Sequence, residues 1–560
     1  MKKEWNYNNE IDDKLVQKIA EKYSINTLLS KILVSRNVIE DEKIETFLNP
    51  KRNNFNDPYL LPDMEKAVDR IINALEKNEK ITIYGDYDVD GITATTVLES
   101  FLRERNANVT HYIPNRLEEG YGLNNNAIDK IKESGTDLMI TVDCGITGIS
   151  EVEYGKSLGL DIVVTDHHEP GDEIPDTIAV VDAKRKDNKY PFRELAGVGI
   201  AFKVIQAISI KLNLDEKEYL KYLDIVAIGT IADVVPLVEE NRTITKLGLK
   251  LLEVTKNIGL KELVNITGYK RIDSNMVAFG IAPRINACGR MGKEQEALNL
   301  FLTQDSKEAQ EIAERLNSYN AKRQELEKSI FEQAKQMAES DLDKNVLVLA
   351  REGWHHGVIG IVSSKITELY FKPSILIGFE GEEGKGSGRS VPGFDLHDAI
   401  VSCGNDLEKF GGHEMAIGLS LKKEKFEKFK EDFEKYACNT NLCDIIPIIN
   451  IDEEAKLSEL NIAVIKELSL LEPYGEANRM PIFIFKNLKI NSIRSLSEGK
   501  HIKLTLQDNH YYIDAIGFNL GYLANEYKIG DKVDVVGSLE INEYNGNQNM
   551  QINLKDIRKA

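Results

Sequence analysis

Ile81-Thr82-Ile83-Tyr84 runs directly into Gly85-Asp86-Tyr87-Asp88-Val89-Asp90-Gly91, and the reading of this stretch decides the fold. The first four residues read as a buried strand, and 92–103 leaves the heptapeptide with helical spacing. Three aspartates stand on alternate positions where the strand stops. In extended chain, residues two apart point the same way. Their carboxylates therefore crowd and repel, and a divalent cation offsets that repulsion. A calcium loop of the EF-hand kind fits poorly, because no Glu follows at the required position and the flanks are strand then helix. A solvated acidic turn remains the plain alternative for the heptapeptide taken alone.

Around it the chain alternates strand-like runs with helices. Segments 81–84, 109–113, 138–142, 162–165 and 178–181 predict an α/β fold with a parallel sheet. Sites in such sheets gather beyond the carboxyl ends of the strands. There stand Asp143-Cys144-Gly145 and Asp166-His167-His168, and the apolar run 223–237 (LDIVAIGTIADVVPL) carries Asp224 and Asp233. An aspartate in such a run is costly unless paired or bound to metal. Singly, Asp143 reads as a helix N-cap and His168 as a core histidine. Together Asp86, Asp88, Asp90, Asp143, His167 and Asp233 predict a metal centre assembled from four strand ends. Carboxylate with imidazole suits manganese or magnesium, imidazole favouring manganese, and the lack of a thiolate argues against structural zinc. Two ions about 4 Å apart, bridged by one carboxylate, activate water and neutralise phosphate charge. The constellation predicts a phosphoester or phosphoanhydride hydrolase.

Bulk properties bound this reading. With 560 residues the chain is long enough for several domains. Its net charge of −20 argues against a nucleic-acid partner, but metal-site carboxylates contribute to that total and a groove can be basic on an acidic body. No apolar run approaches the ~18 residues of a membrane span. The start, Met1-Lys2-Lys3-Glu4-Trp5-Asn6, lacks a signal-peptide core, so the cytoplasm is the expected compartment. Cys144, Cys288, Cys403, Cys438 and Cys443 are scattered and predict no disulfide frame.

The expected organisation is an N-terminal helical extension (1–75), the catalytic α/β domain (76–305), a connecting helix without Gly or Pro (306–344), a smaller α/β domain (345–445) and a strand-rich tail (446–560). On the helix, Asn317, Asn320, Arg323 and Gln324 form a polar stripe, which by itself reads as a solvated face. In the smaller domain two glycine-rich loops, 384–389 and 411–413, offer backbone amides beside Arg389 and His413, a candidate phosphate cradle. The tail's short strands, with an Asn545-Gly546 turn, suggest an OB-like β-barrel. Tyr511, Tyr512, Phe518 and Tyr544 are its candidate base-stacking aromatics, with Phe518 assigned instead to the barrel core.

GDYDVDG, TVDCG, TDHH and GTIAD resemble the four motifs of the DHH phosphoesterase superfamily. YIPNRLEEGYGL (112–123), LAGVGIAFK (195–203), APRINACGRM (282–291), WHHGVIGIV (354–362), GSGRS (386–390), GGH (411–413) and LEPYG (471–475) are similar to RecJ-type single-strand-specific exonucleases. The likeness spans nearly all the chain after about residue 50. It implies one ion on Asp86, Asp88 and Asp143 and another on Asp90, Asp143, His167 and Asp233, with His168 approaching the scissile phosphate. It also implies that the smaller domain is a DHHA1 domain. The substrate-binding residues expected on this basis are Arg116, Arg284, Asn286, Arg290, Asn317, Arg323, Gln324, Ser387, Arg389, His413 and Tyr544. Departures are Asp182 where Asn is more frequent, His356 for a usual Pro, and Arg479 where Pro often follows LEPYG. The implied function is 5′→3′ hydrolysis of single-stranded DNA to 5′-mononucleotides in DNA repair and recombination. Two Mn2+ or Mg2+ ions, a helicase and a single-strand-binding protein as partners, and a monomeric state accompany it. Two alternatives are weighed: a DHH phosphodiesterase for short oligonucleotides or cyclic dinucleotides, and a DNA scaffold with a decayed site. The tail argues against the first and the intact ligand set against the second.

Overall fold

The computed structural model describes residues 3–7, 11–116, 118–440, 442, 446–544 and 546–560, with the Tyr544 side chain outside that set. It opens on strand β1 (Glu4–Tyr7) and the helices Asp13–Tyr23, Thr27–Ser35 and Asp41–Leu48. The short helices are preceded by one strand, and they do not stand as a separate unit. Ile19, Leu29, Ile32 and Phe47 bury their faces in one core with Phe483, Phe485 and Val533 of the C-terminal tail. Apolar spacing shows that a helix has a face to bury, not which distant segment covers it.

Strands β2 (Ile81–Tyr84), β3 (Val109–Tyr112), β4 (Leu138–Val142), β5 (Asp161–Thr165) and β6 (Ala179–Val181) form a parallel sheet in the order β3-β2-β4-β5-β6. Every residue of β2 and β4 is buried, as in strands covered on both faces. The chain visits β3 on one side of β2, then crosses to β4 on the other, so the topological switch lies between β2 and β4. That is where open α/β sheets bind ligands. The helix Val89–Arg103 begins there because the Asp88 carboxylate caps it, accepting from the N–H groups of Asp90 and Gly91.

The run at 223–237 forms a helix, Leu223–Ala232, buried all round, with Asp233 as its C-cap. The expectation of four strand ends is therefore corrected: Asp233 arrives from a helix terminus. A continuous apolar run reads alike for buried strand and buried helix. Asp224 is structural, accepting from Thr255 Oγ1 at 2.6 Å. The connecting helix spans Ser306–Ala338, started by an Asp305 cap.

The smaller domain holds β7 (Leu347–Glu352), β8 (Ser374–Glu380), β9 (Glu383–Arg389), β10 (Lys409–His413) and β11 (Ala416–Lys422), ordered β10-β11-β9-β8-β7. The two glycine-rich loops are thus strands β9 and β10, a second correction. Gly384, Gly386 and Gly388 face Phe379, Leu419 and Ile417, where an added Cβ would meet side-chain carbons at 2.6, 2.7 and 2.9 Å. Bulky residues on the flanking strands close over them, so glycine here answers to packing rather than to a turn.

The tail contains β12 (Ile448–Ile451), which pairs in parallel with β1, and the short β13 (Glu453–Glu454). Strands β14 (Phe483–Leu496), β15 (His501–Asp508), β16 (Tyr511–Gly517), β17 (Lys532–Tyr544) and β18 (Asn547–Lys559) follow, in the order β14-β15-β16-β18-β17, and β14–β17 pairing closes the barrel. Asn545 of the expected turn lies outside the described residues, although β17 and β18 pair up to Tyr544 and Asn547. The assignment of Phe518 to the core is corrected. It is 55% exposed, edge-on to His501, because it stands just past the end of β16, beyond the barrel's inward alternation. Among the described residues, no helix is long and apolar enough to cross a membrane.

Candidate active site

The expected ligands converge at the switch point. Asp90, in the first turn of Val89–Arg103, accepts the Val198 N–H on Oδ1 at 2.8 Å and the Gly197 N–H on Oδ2 at 2.6 Å. Both amides belong to the N-terminus of the helix Gly197–Lys211, where a carboxylate is stabilised. Asp143 follows β4 with a left-handed backbone, φ 60°. A Cβ on Gly197 would lie 2.6 Å from its carboxylate, so only glycine lets this helix end approach. His167 Nε2 lies 3.1 Å from Asp143 Oδ1, 3.7 Å from Asp233 Oδ2 and 3.8 Å from Asp90 Oδ2. Ligand atoms of Asp86, Asp88 and Asp143 fall within 4.8 Å of one another, as do those of Asp90, His167 and Asp233, with Asp143 beside both sets.

Several of these atoms have nothing to bond to. Asp86 Oδ1, Asp143 Oδ1, both ring nitrogens of His167 and Asp233 Oδ2 are buried without a hydrogen-bond partner among the described residues. Such atoms are rare in folded proteins and call for a missing partner. Burial, reinforced by neighbouring carboxylates, pushes Asp86 and Asp143 up, Asp90 to about 7 and Asp233 to about 9. Burial lowers His167 to about 3, leaving a neutral imidazole. Orphaned carboxylates around a neutral imidazole, with no thiolate, fit hard divalent cations such as Mn2+ and Mg2+.

Beside this set His168 Nδ1 lies 2.7 Å from Asp166 Oδ1. Burial acts to lower its pKa, but the bond to Asp166 together with the charges of Asp166, Asp90 and Asp88 holds the imidazole above its ordinary value. The Tyr121 hydroxyl lies 3.2 Å from His168 Nδ1 and 3.3 Å from Nε2. Neither Asp166 nor Tyr121 is among the expected site residues. The available signals were the Asp that opens Asp-His-His and the Tyr inside Gly120-Tyr121-Gly122. Asp182 is fully buried nearby, accepts the Lys184 N–H and is pushed to about 7 by burial and by Asp166.

Next to the carboxylates lies a cationic cleft. Arg116 rests over the Tyr87 ring at 4.9 Å, and Arg290 Nη1 donates to the Gly357 carbonyl at 2.7 Å. Burial, together with Arg116, Arg323 and Arg389, lowers Arg290 to about 10. Arg389 Nη1 donates to Ser387 Oγ at 3.1 Å. Opposite Arg116, a cleft of about 480 Å³ is floored by Lys385, Ser387, Lys409 and Gly411. Arg389, Ala416 and His413 stand in register across β9, β11 and β10, so their side chains share that face. Asn286 lines an adjoining cavity with Arg290, Arg323 and Phe279.

The polar stripe does not act as one surface. Asn317 accepts from Arg284 Nε at 3.0 Å, Asn320 is buried and holds Arg323 together with Glu327, and Gln324 is exposed and joins neither cavity. Nothing places the Tyr544 side chain, which lies outside the described residues.

Known proteins share this arrangement of domains. The chain matches the DHH family N-terminal domain over residues 80–230, the DHHA1 domain over 343–439 and the RecJ OB domain over 451–556. A curated single-stranded-DNA-specific exonuclease RecJ from Bacillus subtilis is 40% identical, over 99% of this chain and 71% of its own length. The RecJ of Thermus thermophilus is 35% identical over 89% of this chain and 71% of its own. A crystal structure of RecJ in complex with Mn2+ from Thermus thermophilus superposes with a TM-score of 0.86 at 30% identity, covering all of this chain and 80% of that one. A Mg2+ complex from the same source gives 0.79 at 29% identity, over all of this chain and 78% of that one.

Proposed function

This chain belongs to the RecJ family of DHH phosphoesterases, and on that basis we propose how its residues act. It is a divalent-metal-dependent exonuclease specific for single-stranded DNA. Digestion runs from the 5′ end and releases 5′-mononucleotides. Asp86, Asp88 and Asp143 hold one ion, and Asp90, Asp143, His167 and Asp233 the other. The carrying observation is the set of buried, partnerless oxygens and nitrogens that these residues turn toward one another.

When bound, the ions supply positive charge that favours attack of water on phosphorus and steadies the leaving oxygen. The protein's own part is positioning. Amides of Gly197 and Val198 fix Asp90, leaving its carboxylate little freedom to rotate. Asp166 orients the His168 imidazole and favours its protonated form, so that His168 offers an N–H to the phosphate, and Tyr121 braces it. Arg116, Arg290 and Arg389 draw the strand's phosphates into the cleft through charge-assisted contacts. Exposed Tyr511 and Tyr512 on β16 offer stacking faces to the trailing bases. We place the enzyme in cytoplasmic DNA repair and recombination as a monomer, served by a helicase and a single-strand-binding protein.

The test is a single strand several tens of nucleotides long, labelled at either end, incubated with Mn2+ beside its blunt duplex. The 5′ label should appear at once as mononucleotide while the 3′-labelled strand shortens gradually and the duplex survives. Immediate release of the 3′ label would reverse the polarity.

A further inference from the structure

Val234, immediately after the Asp233 ligand, has φ 63°. A β-branched residue in the left-handed region is strained, and such a conformation persists only where its surroundings enforce it. The enforcing contacts come partly from the far end of the chain. The Leu237 N–H donates to the Glu476 carbonyl at 2.8 Å. The Leu237 side chain, 2% exposed, packs on Gly475 so closely that a Cβ there would lie 2.5 Å from Leu237 Cδ1. From within the catalytic domain, Asn241 Nδ2 donates to the Pro236 carbonyl at 3.1 Å and also to the Glu194 carbonyl. Glu194 leads into Gly197, whose amide holds Asp90.

The 472–476 turn at the root of the barrel is itself bolted down. Buried Arg242 donates to the carbonyls of Leu470, Leu471 and Glu472 at 2.9, 2.9 and 3.0 Å. Ser274 Oγ donates to the Tyr474 carbonyl at 2.6 Å, and Arg271 pairs with Glu472. Segment 234–238 is therefore gripped between the catalytic domain and the barrel root.

We propose that this grip, through Gly475, Glu476 and Leu237, positions Asp233, so that seating of the barrel sets metal affinity at the Asp90–His167–Asp233 site. The inference rests on the ligand assignment above. Partners that orient a ligand typically change metal affinity by about 10–100-fold when lost.

The test is Mn2+ titration of the metal-free 560-residue chain by calorimetry, without DNA. The wild type should take up two ions. Gly475→Ala should weaken one of them on the order of tenfold and spare the other. Gly475→Ala/Leu237→Ala, which removes the clash, should recover most of the loss. Single-strand affinity in EDTA should stay within about twofold throughout, as expected where phosphate contacts carry binding. If Gly475→Ala fails to fold, Leu237→Ala alone carries the test: it empties the contact that the added methyl refills in the double variant, and should weaken the same ion. Single variants that bind both ions as the wild type does would overturn the clamp. A wild type that takes up a single ion would overturn the ligand assignment instead.

Discussion

The sheets of the catalytic and the smaller domain deliver functional groups in different ways. In the parallel sheet, ligands come off strand ends and one helix terminus, through turns that re-aim each side chain, such as the left-handed Asp143. In the mixed sheet of the smaller domain, groups come off the face of β9, a strand paired antiparallel on both sides, every second residue: Lys385, Ser387 and Arg389, with glycines between them. The first arrangement makes side chains from remote sequence meet at a point, as a metal centre requires. The second repeats along a line at the strand's period of two, which suits a polymer carrying a phosphate at every step. A point must be assembled residue by residue; a line is inherent in one strand.

Changes at the point should be the most severe. Asp143→Ala removes a carboxylate placed beside both ion sets, and turnover with Mn2+ should fall roughly 10³-fold or more, several kcal/mol in the barrier. Near-normal turnover would show that the sets are not shared. On the line, Arg389→Ala should act chiefly on KM, raising it roughly 10–100-fold for a lost charge-assisted contact, while kcat stays close to the wild type. A fall in kcat alone would move Arg389 from the line to the point.

Gly386→Val probes the line's packing rather than its charge. Overfilling the layer under Leu419 and Ile377 should cost about 1–3 kcal/mol of stability, read as a lower Tm, with Mn2+ uptake unchanged. A gain of similar size, rather than a loss, is expected for Asp182→Asn, behind the point. Asp182 is raised to about 7, so its neutral form supports the fold at low pH and that support is lost as pH rises through about 7. The Asn variant should therefore gain on the wild type by about 1–3 kcal/mol near pH 8 and by little near pH 4. Equal gains at both pH values would refute the titration.

This contrast also explains what is legible in the sequence. Asp86, Asp88, Asp143 and His167 can be read because a buried strand announces its own end, and that is where such sheets bind. Asp233 is visible as a costly carboxylate, yet its helix is not, because a run apolar on every side has no period. Strand β9 reads as a loop because glycine's meaning depends on neighbours, here Phe379, Leu419 and Ile417, that are remote in sequence. The stripe on the connecting helix looks like one surface, whereas Asn317 is held by Arg284 and Asn320 by Arg323, pairings fixed only by tertiary packing. Phe518 misleads by position: one residue past a strand end, alternation no longer says which way a ring points.

The pairing of β1 with β12 and the core shared by the first helices with the barrel have a consequence for synthesis. Glu4 meets Ile448, and Leu29 packs in the same cluster as Phe483. At about 5–20 residues per second, a ribosome needs roughly 20–90 s to make the partners that cover these faces. Throughout that interval Leu28, Leu29, Ile32 and Leu33 lack the barrel residues that complete their core. The nascent N-terminal helices are then a natural place for a chaperone to bind, and slowing translation should lengthen their exposure.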